Sequence, residues 1–170
     1  MPPKQVISVT YARSFHARKA ASHLVQKSKI RYNNRITTLD MNLILQILKT
    51  VPLFQSLTEE EHKSIIDHIT MQYFPAHYVL FQTGVLGNAM YIIKSGMVRI
   101  YNEHADIASL GEGDFFGEMA LIEDQPRNAS AETLSDCEIF VLNKEDFASL
   151  LQKSPEILRK IKEGYQTRKQ

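Results

Sequence analysis

The sequence predicts a mainly β protein: an antiparallel sandwich or barrel of the jelly-roll kind, flanked by helices at both ends. Three observations carry this. Between about Met71 and Leu142 the chain reads as short β-type runs separated by turn residues. Six of its seven glycines fall between Gly84 and Gly117, each a place where the backbone can turn sharply or approach another group closely. Before and after that stretch, apolar residues recur at helical rather than strand spacing.

The 170 residues suffice for one ordinary domain and a short extension. Hydrophobic residues make up 44% and charged residues 23%, a globular composition that excludes fibre and wholesale disorder. Apolar runs such as Ile139–Leu142 fall far short of a membrane span, and the N-terminus lacks the apolar core of a secretory signal. The single cysteine, Cys137, excludes an internal disulfide framework and fits a reducing, cytoplasmic setting.

The net charge of +1 conceals an asymmetry. Residues 1–50 carry nine Lys/Arg against Asp40 alone, whereas residues 51–170 carry eleven Lys/Arg against eighteen acids. This predicts a basic, helical extension over residues 1–39 joined to a domain over residues 40–170. The extension fits a linker helix docked on a partner, an organelle-targeting segment, or an arm touching an anionic membrane surface or nucleic acid. Membrane contact is the weaker expectation, and no nucleic-acid partner is expected.

Asp40 is placed to N-cap a first helix with Leu43, Ile44, Ile47 and Leu48 along one stripe, stopped at Val51-Pro52. Thr58-Glu59-Glu60-Glu61 reads as a capping box for a second helix whose buried face is Ile65, Ile66 and Ile69. Its three acids suit the positive end of the helix dipole and read as structural. Candidate strands follow at 72–74, 78–82, 90–94, 97–102, 107–110, 129–133 and 138–142. Cys137 beside the last of these reads as a core thiol. Asn143 then caps a helix carrying Phe147, Leu150 and Leu151. Ser154-Pro155-Glu156 opens another with proline at its first position, carrying Ile157, Leu158, Ile161 and Tyr165.

The chemistry is concentrated in Gly113-Asp114-Phe115-Phe116-Gly117-Glu118-Met119-Ala120-Leu121 and Pro126-Arg127-Asn128-Ala129-Ser130-Ala131. Gly117 permits a tight turn, and Glu118–Leu121 can then form one helical turn whose free N–H groups attract an anion. Arg127, read as lying at the start of the next strand, offers a planar fork suited to phosphate. A carboxylate beside a phosphate would repel it, so Glu118 should face something neutral such as a sugar hydroxyl. This suits a nucleotide or sugar phosphate. A structural Glu118–Arg127 ion pair accounts for the same two residues.

The six histidines at 16, 23, 62, 68, 77 and 104 show no metal-ligand spacing, so neither a metal nor another cofactor is expected. Ser130 has no nucleophile elbow around it, and no nucleophile–base pair stands out. A metal-dependent jelly-roll enzyme would need a His/Glu set that His77 and His104 are too isolated to supply.

Those two segments resemble the phosphate-binding cassette of the cyclic nucleotide-binding domain family, F-G-E-x-A-L followed by P-R-x-A-[ST]. The spacing Gly84-x-x-Gly87-x-x-x-Tyr91-x-Ile93-x-x-Gly96-x-Val98 is similar to the family's strand–turn signature. The resemblance runs from about Leu53 to Arg168. It implies an eight-stranded β-roll with N-terminal helices and a C-terminal helical lid, binding cyclic AMP or cyclic GMP without catalysis. Glu118 would accept the ribose 2′-hydroxyl and Arg127 would hold the cyclic phosphate. Phe116, Gly117, Met119, Ala120, Asn128, Ala129 and Ser130 would complete the site. Relatives with Thr or Ser in place of Asn128 hydrogen-bond phosphate or guanine there, and others with Ala prefer cyclic AMP. Asn128 follows neither pattern, and cyclic AMP is the expected ligand. Leu158, Ile161, Tyr165 and Arg168 are the lid candidates, though ordinary docking of that helix accounts equally for Leu158 and Ile161.

The implied partners are an effector protein, such as a kinase or channel module. A DNA-binding activator would need a helix-turn-helix after the last helix, and a kinase regulatory subunit normally has two tandem domains. A channel module or a free-standing sensor is expected instead. The other reading is a β-roll interaction module without ligand, working through its basic arm.

Overall fold

The computed structural model describes residues 36–168, with side chains as far as Glu163. The basic extension predicted for residues 1–39 lies, up to residue 35, outside the described residues. Among those described there are four α-helices and eight strands in two antiparallel sheets. None of the described helices is long and apolar enough to cross a membrane.

Helix α1 spans Thr38–Thr50. Thr37, not Asp40, is its N-cap: the Asp40 amide donates to Thr37 Oγ1 at 3.2 Å, and the Thr37 amide donates back to Asp40 Oδ2 at 2.9 Å. Threonine's hydroxyl reaches the third helical amide, so the helix starts three residues earlier than one capped by Asp40 would. The other Asp40 oxygen pairs with Lys94 Nζ at 3.1 Å and docks the helix start on the sheet. Helix α2, Glu59–Ile66, has the predicted Thr58/Glu61 box. It ends before Ile69, which instead opens strand β1 and pairs with Leu142.

One sheet orders β1 (Ile69–Phe74), β8 (Cys137–Asn143), β3 (Ala89–Ser95) and β6 (Phe115–Phe116) side by side. The other orders β2 (Val79–Phe81), β7 (Ser130–Thr133), β4 (Val98–Tyr101) and β5 (Asp106–Leu110). Strands β3 and β8 are apolar without alternation because both their faces are covered. Met90, Ile92, Phe140 and Leu142 pack toward the helices with Ile44, Leu48, Phe54 and Phe147. Tyr91, Ile93, Ile139 and Val141 fill the space between the sheets with Val98 and Ala131. Cys137 is buried there as a free thiol.

The two-residue strand β6 was not among the seven read from sequence. It is too short for periodicity to show, and it sits between Gly113 and Gly117, both in the left-handed region. After β8, Asn143 stands at the N-cap of α3 (Lys144–Lys153), but its side chain makes no cap bond and donates to Asp146 Oδ2 at 3.1 Å. Helix α4 spans Pro155–Arg168, with proline at its first position.

Candidate functional site

The segment Phe116–Leu121 folds as the sequence predicts. Gly117, at φ 78°, caps a single 3-10 turn over Glu118–Leu121. Here glycine is needed twice: the left-handed backbone disfavours a side chain, and a Cβ would lie 2.7 Å from Arg127 Nη1. The turn is anchored from behind by Ala120 and Leu121, both buried.

Arg127 comes to the turn from a different place than predicted. Strand β7 begins only at Ser130, and Arg127 lies in the preceding segment, held by pairing of Pro126 with Leu86. Its amide donates to Val85 O at 2.7 Å, and its carbonyl accepts from the Gly84 amide at 2.8 Å. The glycine-containing β2–β3 loop therefore sets the height of Arg127 over the sheet. Within that loop, Gly87 leaves just enough room, since a Cβ there would lie 3.1 Å from Arg127 Cζ and 2.5 Å from Ala120 Cβ.

The guanidinium is held by its own chain. Nη2 donates to Ala89 O at 2.7 Å and Nη1 to Gly117 O at 3.3 Å. Its Cζ lies 4.0 Å from the centre of the Phe81 ring, a cation–π contact. Phe81 leans in turn on Tyr91 and Phe116, whose rings stack at 5.0 Å. Burial lowers the Arg127 pKa, while Tyr91 and Glu118 pull it partly back. Nε is buried with no hydrogen-bond partner.

None of the ion pairs among the described residues includes Glu118 or Arg127. The structural ion pair that could have explained both is not what the fold makes. Instead a half-buried cation sits in a preset orientation with no carboxylate on it, a poor arrangement unless an anion completes it.

A hollow of about 460 Å³ opens between the turn and Arg127. Six of the residues singled out from sequence line it together: Gly117, Glu118, Met119, Ala120, Arg127 and Asn128. Three do not. Phe116 points between the sheets, Ala129 is buried, and the Ser130 hydroxyl accepts the Thr83 amide at 3.0 Å, tying the β2–β3 loop to β7. On α4, Leu158 is half-buried and Ile161 is buried in the helical core with Ile157, so neither lines the hollow. The side chains of Tyr165 and Arg168 lie outside those described.

Sequence reasoning missed Phe81, the Ala89 carbonyl, and Glu123 and Gln125 on the wall. No local signal marks an aromatic in β2 as the floor under an arginine 46 residues later. Among the described residues, no group of three or more His, Cys, Asp or Glu could hold a metal ion.

Residues 71–154 match the family described as the cyclic nucleotide-binding domain. The cyclic AMP receptor protein of Thermus thermophilus is 34% identical over 113 residues, covering 64% of this chain and 52% of that protein. A cGMP-dependent protein kinase of Plasmodium berghei is 34% identical over 122 residues, covering 71% of this chain and 14% of the kinase. The chain thus spans about half the length of one relative and much less of the other. Among solved structures, the regulatory domain of Toxoplasma gondii PKA in a co-crystal with cAMP superposes with a TM-score of 0.62 at 27% identity, over 68% of this chain and 46% of that one.

Proposed function

Residues 71–154 form a cyclic nucleotide-binding domain, and on that premise we propose that the chain is a non-catalytic sensor, holding a cyclic nucleotide in the hollow beside Arg127 and answering by closing its C-terminal helix. One observation carries the reading: a preset, half-buried guanidinium with no carboxylate partner facing a hollow of nucleotide size.

Arg127 takes the cyclic phosphate. The outer edge of the fork supplies the donors left, since Nη1 and Nη2 each already give one hydrogen to a main-chain carbonyl. Glu118, across the turn, accepts the ribose 2′-hydroxyl, a neutral donor that a carboxylate tolerates beside phosphate. Gly117, Met119 and Ala120 supply close contacts along the turn, with Phe116, Ala129 and Ser130 as the wall behind them. Asn128 faces the base. Cyclic AMP is the preferred ligand, a reading supported by relatives named for cAMP and by the lack of a hydroxyl side chain at Asn128.

The helix that closes is α4. Leu158, Ile161, Tyr165 and Arg168 would cap the base once α4 leaves the core that buries Ile157 and Ile161. Binding then shifts a population between docked and closed helix. The effector is a protein in the cytoplasm, of the kinase or channel class, as the kinase names among relatives support. The basic extension is its attachment, with a membrane surface as a second contact.

Calorimetric titration of the full chain with cyclic AMP and cyclic GMP tests this. Micromolar or tighter binding of cyclic AMP is expected, weaker for cyclic GMP. Arg127→Ala should weaken it by at least about 30-fold, the usual cost of removing one partner of a buried charge contact. No heat with either nucleotide at millimolar concentration would overturn the sensor reading in favour of an interaction module.

A further inference from the structure

We infer that Lys144 is a positioning residue for this site: its ammonium is the strut that fixes the loop between the 3-10 turn and Arg127. The inference rests on the nucleotide reading for its consequence, but on the fold for its geometry.

The loop, residues 122–126, is fastened at both ends. At its start, the Ile122 and Glu123 amides both donate to Met119 O, at 3.2 and 2.9 Å. At its end, Pro126 pairs with Leu86, and the Arg127 amide bonds Val85 O. Between them Lys144 Nζ reaches in from the first turn of α3, donating to Glu123 O at 2.9 Å and to Asp124 Oδ1 at 2.7 Å.

The strut has a rigid foot. The Lys144 amide donates to Asn88 O at 2.8 Å, and the next carbonyl, Ala89 O, accepts Arg127 Nη2. Lys144 and Arg127 therefore hang from consecutive carbonyls at the start of β3. Ala89 is paired with Asn143, the residue before Lys144, so the two anchors belong to one ladder. A single short strand end thus sets both the backbone of the strut and the angle of the guanidinium.

The two bonds of the ammonium differ in what they do. Asp124 is 94% exposed, so its ion pair is screened by water and adds little. The bond to the Glu123 carbonyl comes from a lysine only 25% exposed, and it restrains backbone. Asp124, which stands between the wall residues Glu123 and Gln125, does not itself line the hollow.

The test measures cyclic AMP binding calorimetrically for the full chain and for Lys144→Met, Lys144→Arg and Asp124→Asn. Amide hydrogen exchange of the ligand-free proteins runs alongside. Lys144→Met should weaken binding by roughly tenfold, within the range of a lost charged hydrogen bond. Exchange should accelerate over residues 122–127 and stay unchanged in β3 and β8. Lys144→Arg should restore most of the affinity, and Asp124→Asn should change it by less than about threefold. Wild-type affinity and exchange in Lys144→Met would overturn the inference. So would faster exchange throughout the β3–β8 sheet that Lys144→Arg leaves unrepaired, since that marks a merely structural lysine. If the wild-type chain binds no cyclic nucleotide, the sensor reading falls by itself. Exchange over 122–127 then still decides whether Lys144 holds the loop.

Discussion

Lys160 on α4 and Glu61 on α2 form an ion pair across 99 residues, with the ammonium 2.8 and 3.0 Å from the two carboxylate oxygens. Each side chain is less than one-fifth exposed. Glu61 also closes the α2 capping box by accepting the Thr58 amide at 2.7 Å, so the pair is built on a carboxylate already fixed in place. The last helix is thereby fastened to the N-terminal helices, on the same core that takes Ile157 and Ile161.

If ligand binding draws α4 from this dock, the pair opposes it. Glu61→Gln and Lys160→Ala should then raise the apparent affinity for cyclic AMP about threefold, because less is lost on leaving the docked state. Calorimetry reads the affinity, and a fluorophore near the end of α4 reads the docked fraction. Unchanged values in both variants would show that α4 does not leave its dock.

Acid should loosen the same region. Burial alone would raise the pKa of Glu61, but hydrogen bonds from Lys160 and Thr58 outweigh it and hold the group below its ordinary 4.5. Asp40 is likewise held below 3.8, burial being outweighed by Thr37 and Lys94. A lowered carboxylate pKa stabilises the fold fully above the ordinary value and ceases to as pH falls through the folded one. Urea midpoints should therefore drop steeply below about pH 4, and the Asp40→Asn, Glu61→Gln double variant should flatten that fall.

Two glycines beside Arg127 should fail differently. Gly117→Ala adds a Cβ both to a left-handed backbone and against the guanidinium, costing about 1–2 kcal/mol of stability as well as ligand affinity. Gly87 carries no such backbone demand. Its Cβ would meet Ala120 and Arg127, so Gly87→Ala should displace the turn and cut affinity more than its melting temperature predicts. Thermal melts and titrations on both variants separate the two effects.

Phe81→Leu keeps an apolar side chain in β2 but removes the ring face under Arg127. A contact of this kind is worth about 0.5–2 kcal/mol, so cyclic AMP affinity should fall by roughly 2- to 30-fold with the fold intact. Titration of this variant measures how far the aromatic floor presets the guanidinium.

Much of this was legible before the fold. The Thr58/Glu61 box and Pro155 at a helix start involve residues within one turn of each other, where spacing carries the signal. The 3-10 turn after Gly117 belongs to the same class. The apolar runs at 90–94 and 138–142 read as strands, and the fold adds that both their faces are covered. Local chemistry misled at Asp40, which stands at the third helical position and answers the Thr37 cap. At Asn143 it found the N-cap position but not the bond, since that side chain reaches Asp146 instead. It also misled at Ile69, where helical spacing runs by coincidence into the next strand.

The sequence by itself determined the β-roll with terminal helices and the turn at Gly117, because glycine placement, capping and periodicity act over a few residues. The six residues that meet around the hollow were named through the resemblance of Phe116–Leu121 and Pro126–Ser130 to the family's cassette. Only the tertiary structure decided what surrounds Arg127. Phe81 below it, the Ala89 carbonyl beside it, Lys144 behind its loop and the Glu61–Lys160 tie are contacts between residues from 20 to 99 positions apart. Each exists only once antiparallel pairing has brought separate strands and helices into one register, and no spacing along the chain records that.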